Sequence, residues 1–447
     1  MRNTGFMLML VLLAVTPRIP SAHAADNLLS LYQKALEYDA RYRSAVALTE
    51  AEREEINKAR SLFFPKVQLA MSVGEGSTDR TADTLLGPVE TQSDYNLKNY
   101  ALSVRQPVFN KESLAFYRST EATVRGREAQ MAKENAFLMT RIAGAYFEIL
   151  YAEERMRLAT SKMEAVQHQL DQAQGRYEHG EGTVTEVSEA QASLDLARAE
   201  RIEAEHSLEI HRQTLGDITG HTPVELANLN IGSLPVEVPE YALLDDWLRN
   251  AETNNPDILQ ARFALEAARH DVERKRAGHY PTVDLVGVRS YSENDTNNTI
   301  GLSFDTTTLA LQLNMPLYAG GYTSASVRQA LDRLQAAEEQ LNLRMREAAA
   351  NVRRYYNSIR SGLLTIEAYQ QATKSADIAL TGTRKGFAAG IRTNIDVLNA
   401  QQKLFASRLD LSRARYTLVN DIINIRQSAG LLDEAQLKQL GRYFQGS

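Results

Sequence analysis

The chain has 447 residues, with 50 Lys and Arg against 56 Asp and Glu, a formal net charge of −6 and no cysteine. The missing cysteine excludes disulfides, thiolate chemistry, zinc–thiolate sites and an N-terminal lipidated cysteine. The acidic balance makes a nucleic-acid partner a poor expectation, because a phosphate backbone needs a basic patch.

At the start, Arg2 precedes an apolar run from Phe6 to Val15 that ends in Ala22-His23-Ala24. A basic start, a short apolar stretch and an A-x-A ending are the parts of a secretory signal peptide, and Pro17 and Pro20 oppose a buried helix there. Residues 1–24 are therefore expected to be a signal peptide, with the mature chain starting at Ala25. Its loss removes Arg2 and Arg18 and no acid, leaving 48 basic against 56 acidic side chains, a net −8. No later stretch approaches the roughly 18 consecutive apolar residues of a membrane-spanning helix.

The chain then repeats itself at an offset of about 210 to 216 residues. Arg60-Ser-Leu-Phe-Phe-Pro65 returns as Arg276-Ala-Gly-His-Tyr-Pro281, and Arg105-Gln-Pro107-Val-Phe109 returns as Asn314-Met-Pro316-Leu-Tyr318. Tyr177-x-x-Gly180-x-x-Thr183-x-x-Glu186-Val187 returns as Phe387-x-x-Gly390-x-x-Thr393-x-x-Asp396-Val397. Matching stations in one order imply two structural repeats, 25–220 and 241–430, with a linker at 221–240 and a short tail at 431–447.

Proline is absent between Pro107 and Pro223 and again after Pro316. Both stretches carry apolar residues at steps of three and four, such as Ile142, Ala145, Ile149, Ala152, Met156 and Ala159, then Leu341, Met345, Ala348, Val352, Tyr355 and Ile359. That spacing is a coiled-coil seam. A helix from Lys111 to about Glu178 would be on the order of 100 Å long, more than a compact domain uses. On the helices alone, an extended structural coiled coil without a channel fits equally well.

Before each long helix the period changes to two. Lys66–Val73 and Thr308–Asn314 alternate cleanly, Asn99–Phe109 and Pro281–Tyr291 less so. Each is about ten residues, the length of a tilted outer-membrane strand. They form hairpins at about 63–109 and 280–318, with the polar segments Gly74–Lys98 and Ser292–Thr306 expected as exposed loops. Phe63, Phe64, Phe109, Tyr280, Tyr318 and Tyr322 at the strand ends suit an interfacial girdle. Four strands cannot close a barrel, and an open edge in lipid leaves backbone groups unsatisfied, so identical partners must close it. Three chains supply 12 strands.

Two repeats, each with a helix, a strand hairpin and a long helix that breaks and returns, resemble the TolC family over essentially the whole mature chain. The resemblance implies a mainly α fold with a membrane β-barrel portion: a homotrimer with a long periplasmic α-barrel and a shared 12-stranded β-barrel in outer-membrane lipid. It further implies the exit duct of a tripartite export system, reached through a periplasmic adaptor protein and an inner-membrane transporter. Type I protein secretion with an ABC-type transporter is preferred on the missing lipid-anchor cysteine. Small-molecule or multidrug efflux is the alternative, and a secreted or periplasmic coiled coil the reading from another class.

By the same resemblance, Gly390-Ile-Arg392-Thr393-Asn-Ile-Asp396-Val-Leu-Asn399 is the turn at the periplasmic tip, where an aperture is expected. Asp396 takes the place of a constriction acid, Arg392 that of a latching arginine and Glu186 that of the corresponding acid of the first repeat. Asn399 stands where the family pattern has a second acid, and Phe387 where it has a tyrosine. A local reading coexists with this one: Thr183-x-x-Glu186 and Thr393-x-x-Asp396 are helix N-capping boxes, and Gly180 and Gly390 end the preceding helices. No nucleophile elbow, P-loop or His-Glu-x-x-His motif occurs, and His206 and His211 fall on different helix faces, so no enzyme activity, metal or cofactor is expected.

Overall fold

The computed structural model describes residues 26–222, 226, 243–294 and 299–438. The expected signal peptide and most of the expected linker lie outside the described residues. The element lengths repeat as the sequence does. Helices α1 (Leu28–Tyr38) and α2 (Ala40–Arg60), of 11 and 21 residues, are matched by α5 (Leu244–Asn254) and α6 (Pro256–Arg276), also of 11 and 21. A single 3-10 turn follows each pair, and then a strand hairpin: β1 (Lys66–Thr84) with β2 (Gly87–Phe109), and β3 (Thr282–Glu293) with β4 (Ser303–Asn314). The long helices come last in each half: α3 (Lys111–Glu178, 68 residues) and α4 (Val184–Thr219), then α7 (Tyr322–Ala388, 67 residues) and α8 (Asn394–Ser428).

Local chemistry sets the boundaries. Asn27, Asp39, Asn110 and Asn255 each place a side-chain oxygen on a free first-turn N–H of the helix that follows, and Pro256 occupies a first-turn position where no hydrogen-bond donor is needed. Within α3 the buried alanines Ala115, Ala122, Ala129, Ala136 and Ala143 recur every seven residues. That repeat lets α6 approach closely and imposes a left-handed supercoil. Burial at steps of three and four continues past Ala159 through Val166, Leu170 and Ala173, and Tyr177 at the helix end is exposed.

The main apolar core lies mid-length, where Leu31 of α1, Phe147 of α3, Leu215 of α4 and Ile423 of α8 meet. Leu432 and Leu437, in the expected tail, are part of it. A second cluster centres on the lone tryptophan, Trp247, against Val352, Ile359 and Leu418. Helices α4 and α7, at the two flanks of the helical layer, leave Leu196, Ile202 and Ile210, and Leu343, Leu364 and Ile378, exposed. No described helix is long and apolar enough to cross a membrane.

The four strands form one antiparallel sheet in the order β1-β2-β3-β4, open at both edges. One correction concerns the first hairpin. The segment Gly74–Lys98, expected as a loop, is mostly strand: Gly74 pairs with Leu97 and the ladder continues without interruption to Thr84 opposite Gly87. Its polar residues hid the period of two because neither face is apolar there in the simple alternating sense.

Residues paired across the ladder share a face. One face carries Val67, Leu69, Met71 and Val73 with Leu102 and Val104, and Leu309, Leu311 and Leu313 on the far strand. The opposite face carries Lys66, Gln68, Ser72, Asn99, Ser103, Arg105 and Asp284, with Arg105 and Asp284 ion-paired at 2.6 Å. One face is thus mainly apolar and the other mainly polar, the two-sided pattern of a barrel wall. From β1 to β4 the centre of the apolar band slips by about five residues over three strand spacings, about 16 Å against 14 Å. This corresponds to a strand tilt of about 49°, slightly steeper than the usual barrel range of about 35–45°. Phe64, Phe109, Tyr280 and Tyr318 lie exposed at the helical border of the sheet, and Tyr100 stacks on Tyr291, ring centroids 6.2 Å apart, towards the other end.

Candidate functional site: the paired turns at the helical tip

Both long hairpins reverse at the same end of the molecule, and the two turns share one backbone hydrogen-bond pattern. In the first, α3 stops as Gly180 takes φ +77°, Glu181 N–H donates to Arg176 O at 2.8 Å, and Thr183 caps α4. The cap is reciprocal: Glu186 N–H donates to Thr183 Oγ1 at 3.2 Å and Thr183 N–H to Glu186 Oε2 at 3.4 Å. In the second, Gly390 takes φ +72°, Ile391 N–H donates to Gly386 O at 2.8 Å, and Thr393 caps α8. Thr393 N–H and Oγ1 both donate to Asp396 Oδ2 at 2.9 Å, and Asp396 N–H donates back to Thr393 Oγ1 at 3.3 Å. Left-handed backbone at Gly180 and Gly390 is the reason glycine is needed at these two positions.

The Thr393 donors, first its backbone N–H and then its hydroxyl, hold the Asp396 carboxyl below the usual carboxylate range, and Arg392 adds to this. Asp396 is therefore an anion throughout the neutral range, at the start of a helix whose dipole favours it. Arg392 and Asn399 are exposed, and Arg392 forms no salt bridge among the described residues.

The two turns are joined beneath their acids. Val166, Leu170 and Ala173 of α3, Ala190 and Leu194 of α4 and Leu398 of α8 form one cluster, with Val187 against it. Phe387 packs with Leu380, Val397 and Leu404. The Arg176 guanidinium lies 5.0 Å from the centre of the Phe387 ring, a cation–π contact linking the first repeat to the second. Gln169 of α3 donates its amide to Asn394 of α8, and Gln401 lies buried two turns along. Arg176, Gln169 and Asn394 were not singled out from the sequence, and Gln401 entered only as a matched position of the repeat, opposite Gln191. The repeat alignment held one signal, since it places Arg176 opposite Gly386.

A sequence model of the family described as "Outer membrane efflux protein" matches residues 31–221 and 247–431. The chain belongs to this family. It is similar over nearly its whole length to the Alkaline protease secretion protein AprF of Pseudomonas aeruginosa, at 31% identity covering 94% of this chain and 88% of that one. Proteases secretion protein PrtF of Dickeya chrysanthemi is 30% identical, covering 98% and 95%. Outer membrane protein TolC of Vibrio cholerae is 31% identical, covering 96% of both. The fold is that of a solved structure of CusC, with a TM-score of 0.79 at 18% identity over 91% and 92% of the two chains.

The expected architecture follows: an outer-membrane channel in which three copies complete a β-barrel from open four-stranded sheets and continue it as a periplasmic helical tunnel. The protein belongs to a family of outer-membrane efflux and secretion channels and is not an enzyme.

Proposed function

We propose that this channel is the outer-membrane duct of a type I protein-secretion system, receiving an unfolded polypeptide from an ABC-type inner-membrane transporter through a periplasmic adaptor. The observation that carries this reading is the full-length similarity to two proteins named for protease secretion. Multidrug or cation efflux is the second reading, favoured by the family description and by the likeness to CusC. The test is complementation: the chain is expressed in a bacterium that has a protease-specific transporter and adaptor but lacks its duct. Protease activity in the medium supports the proposal. Restored resistance to dyes and detergents, with no protease released, overturns it in favour of efflux.

At the tip, Asp396 and Glu186 act as aperture acids, with Arg392 and Asn399 on the same turn and Phe387 bracing it from below. Six carboxylates around one axis would attract cations and repel one another as the pore narrows. The capping boxes support this role by fixing where the acids point. In a planar bilayer, small cation-preferring steps that grow in Glu186→Ala with Asp396→Ala support an aperture. Unchanged steps reduce both residues to helix caps.

A further inference from the structure

The outer half of the first hairpin has a polarity that the membrane does not explain. Beyond Val73 the face that carried valine and leucine becomes acidic, with Glu75, Asp79 and Asp83 on β1 and Glu90 and Asp94 on β2. The opposite face now holds Tyr95, Leu97, Val89 and Ala82 among Thr78, Ser93 and Thr91, and its one charge is the basic Arg80, with no acid. The hairpin ends in Leu85 and Leu86, which are 108% and 101% exposed, at a two-residue turn where Asn and Gly are the usual occupants. Two adjacent leucines left bare in water forgo the gain that burial would bring.

We propose that these apolar tips dock on the same tips of the other two copies in the trimer, so that three hairpins fold over the outer mouth of the barrel. The reach is sufficient. Eleven rungs, Gly74–Leu97 to Thr84–Gly87, extend past the last row shared with β3, roughly 36 Å at about 3.3 Å per residue. Twelve tilted strands give a barrel radius of only about 12 Å. Glycines mark the level where the sheet is left behind, the positions at which a strand bends most easily: Gly74 and Gly76 share the face opposite the acids, and the Tyr95 ring covers Gly76, where a Cβ would come within 2.6 Å of it.

Charge selects the occupant. Five acids per copy on the outer face would repel both a neighbouring hairpin placed there and an anionic lipid surface, whereas the opposite face carries only the charge of Arg80, and the leucines at the turn carry no charge. The hairpin also continues directly from β1, the edge strand through which one copy joins the next in the closed barrel.

The absence of cysteine makes the test direct. Leu86→Cys and the outer-face control Asp79→Cys are introduced singly into the full chain, purified as trimers in detergent and oxidised with copper-phenanthroline. The expected result for Leu86→Cys is conversion of up to two thirds of the monomer band into a disulfide-linked dimer, at a yield independent of protein concentration, while Asp79→Cys stays monomeric. The proposal is overturned if Leu86→Cys stays monomeric and reacts as fast as Asp79→Cys with a water-soluble maleimide, which places the tips apart in solvent. It is equally overturned if Cys at 86 reacts only with a lipid-soluble maleimide, which places them in the bilayer. Leu85→Cys serves as the second variant if trimers fail to form with the first.

Discussion

Arg392 lies across Gly386: a Cβ added to the glycine would sit 2.9 Å from Arg392 Cγ. In the first repeat the same two places are held by Arg176 and Gly182, in the reverse order, and a Cβ on Gly182 would sit 3.2 Å from Arg176 Cβ. Each turn thus has one long side chain and one glycine facing each other, and the repeats differ in which position holds which.

This relationship sets a double-mutant test. Gly386→Arg alone places two long side chains in one space and should lower stability by about 1–3 kcal/mol, as overpacking does. Adding Arg392→Gly reproduces the first turn and should recover most of that loss, giving a coupling well outside additivity. The temperature at which the purified trimer dissociates reads both. No recovery in the double variant would show that the contact is not what limits the turn.

The Asp396 cap carries a defined pH dependence. Its carboxyl is held low by the Thr393 donors, so its folded pKa lies below the unfolded one, and the stabilisation is present above the unfolded value and lost as pH falls through the folded value. Wild type should therefore exceed Asp396→Asn in thermal stability by a constant margin from neutral pH down to about pH 4, narrowing only below that. Thr393→Ala should cost about 1 kcal/mol at neutral pH, the usual value of a lost cap. A margin that already narrows near pH 6 would contradict the capping geometry.

On the sheet, neighbouring residues of β4 should behave oppositely. Leu311 is on the lipid face and Gln312 on the lumen face. Leu311→Arg should destabilise the barrel by about 2–4 kcal/mol near the bilayer midplane, whereas Gln312→Arg should leave assembly intact and alter ion selectivity. Trimer yield in the outer membrane and reversal potential in planar bilayers measure the two effects. Equal loss of trimer in both variants would refute the assignment of faces.

Leu437 is fully buried in the main core although it lies in what reads as a tail. Leu437→Ala should cost about 2–5 kcal/mol, the range for a deleted core leucine. Truncation after Leu431 should cost more, since Leu432 is lost as well. Unchanged thermal dissociation of either variant would show that the end of the chain is not part of the core.

The two repeats, the long helices and the pair of tip turns were legible because each rests on local rules: heptad spacing, proline exclusion, glycine at left-handed positions and capping boxes. The glycine and acid positions at Gly180, Glu186, Gly390 and Asp396 could be read directly for that reason. The length of the first hairpin could not, since between Gly74 and Lys98 strand pairing depends on a partner strand rather than on apolar alternation. The Arg176–Phe387 contact, the Gln169–Asn394 hydrogen bond and the burial of Leu437 join residues far apart in the chain, and only packing brings such groups together. What the sequence by itself determined is the period and punctuation of each element. The tertiary structure alone decided which faces meet, because burial and register are properties of pairs of elements and not of either one.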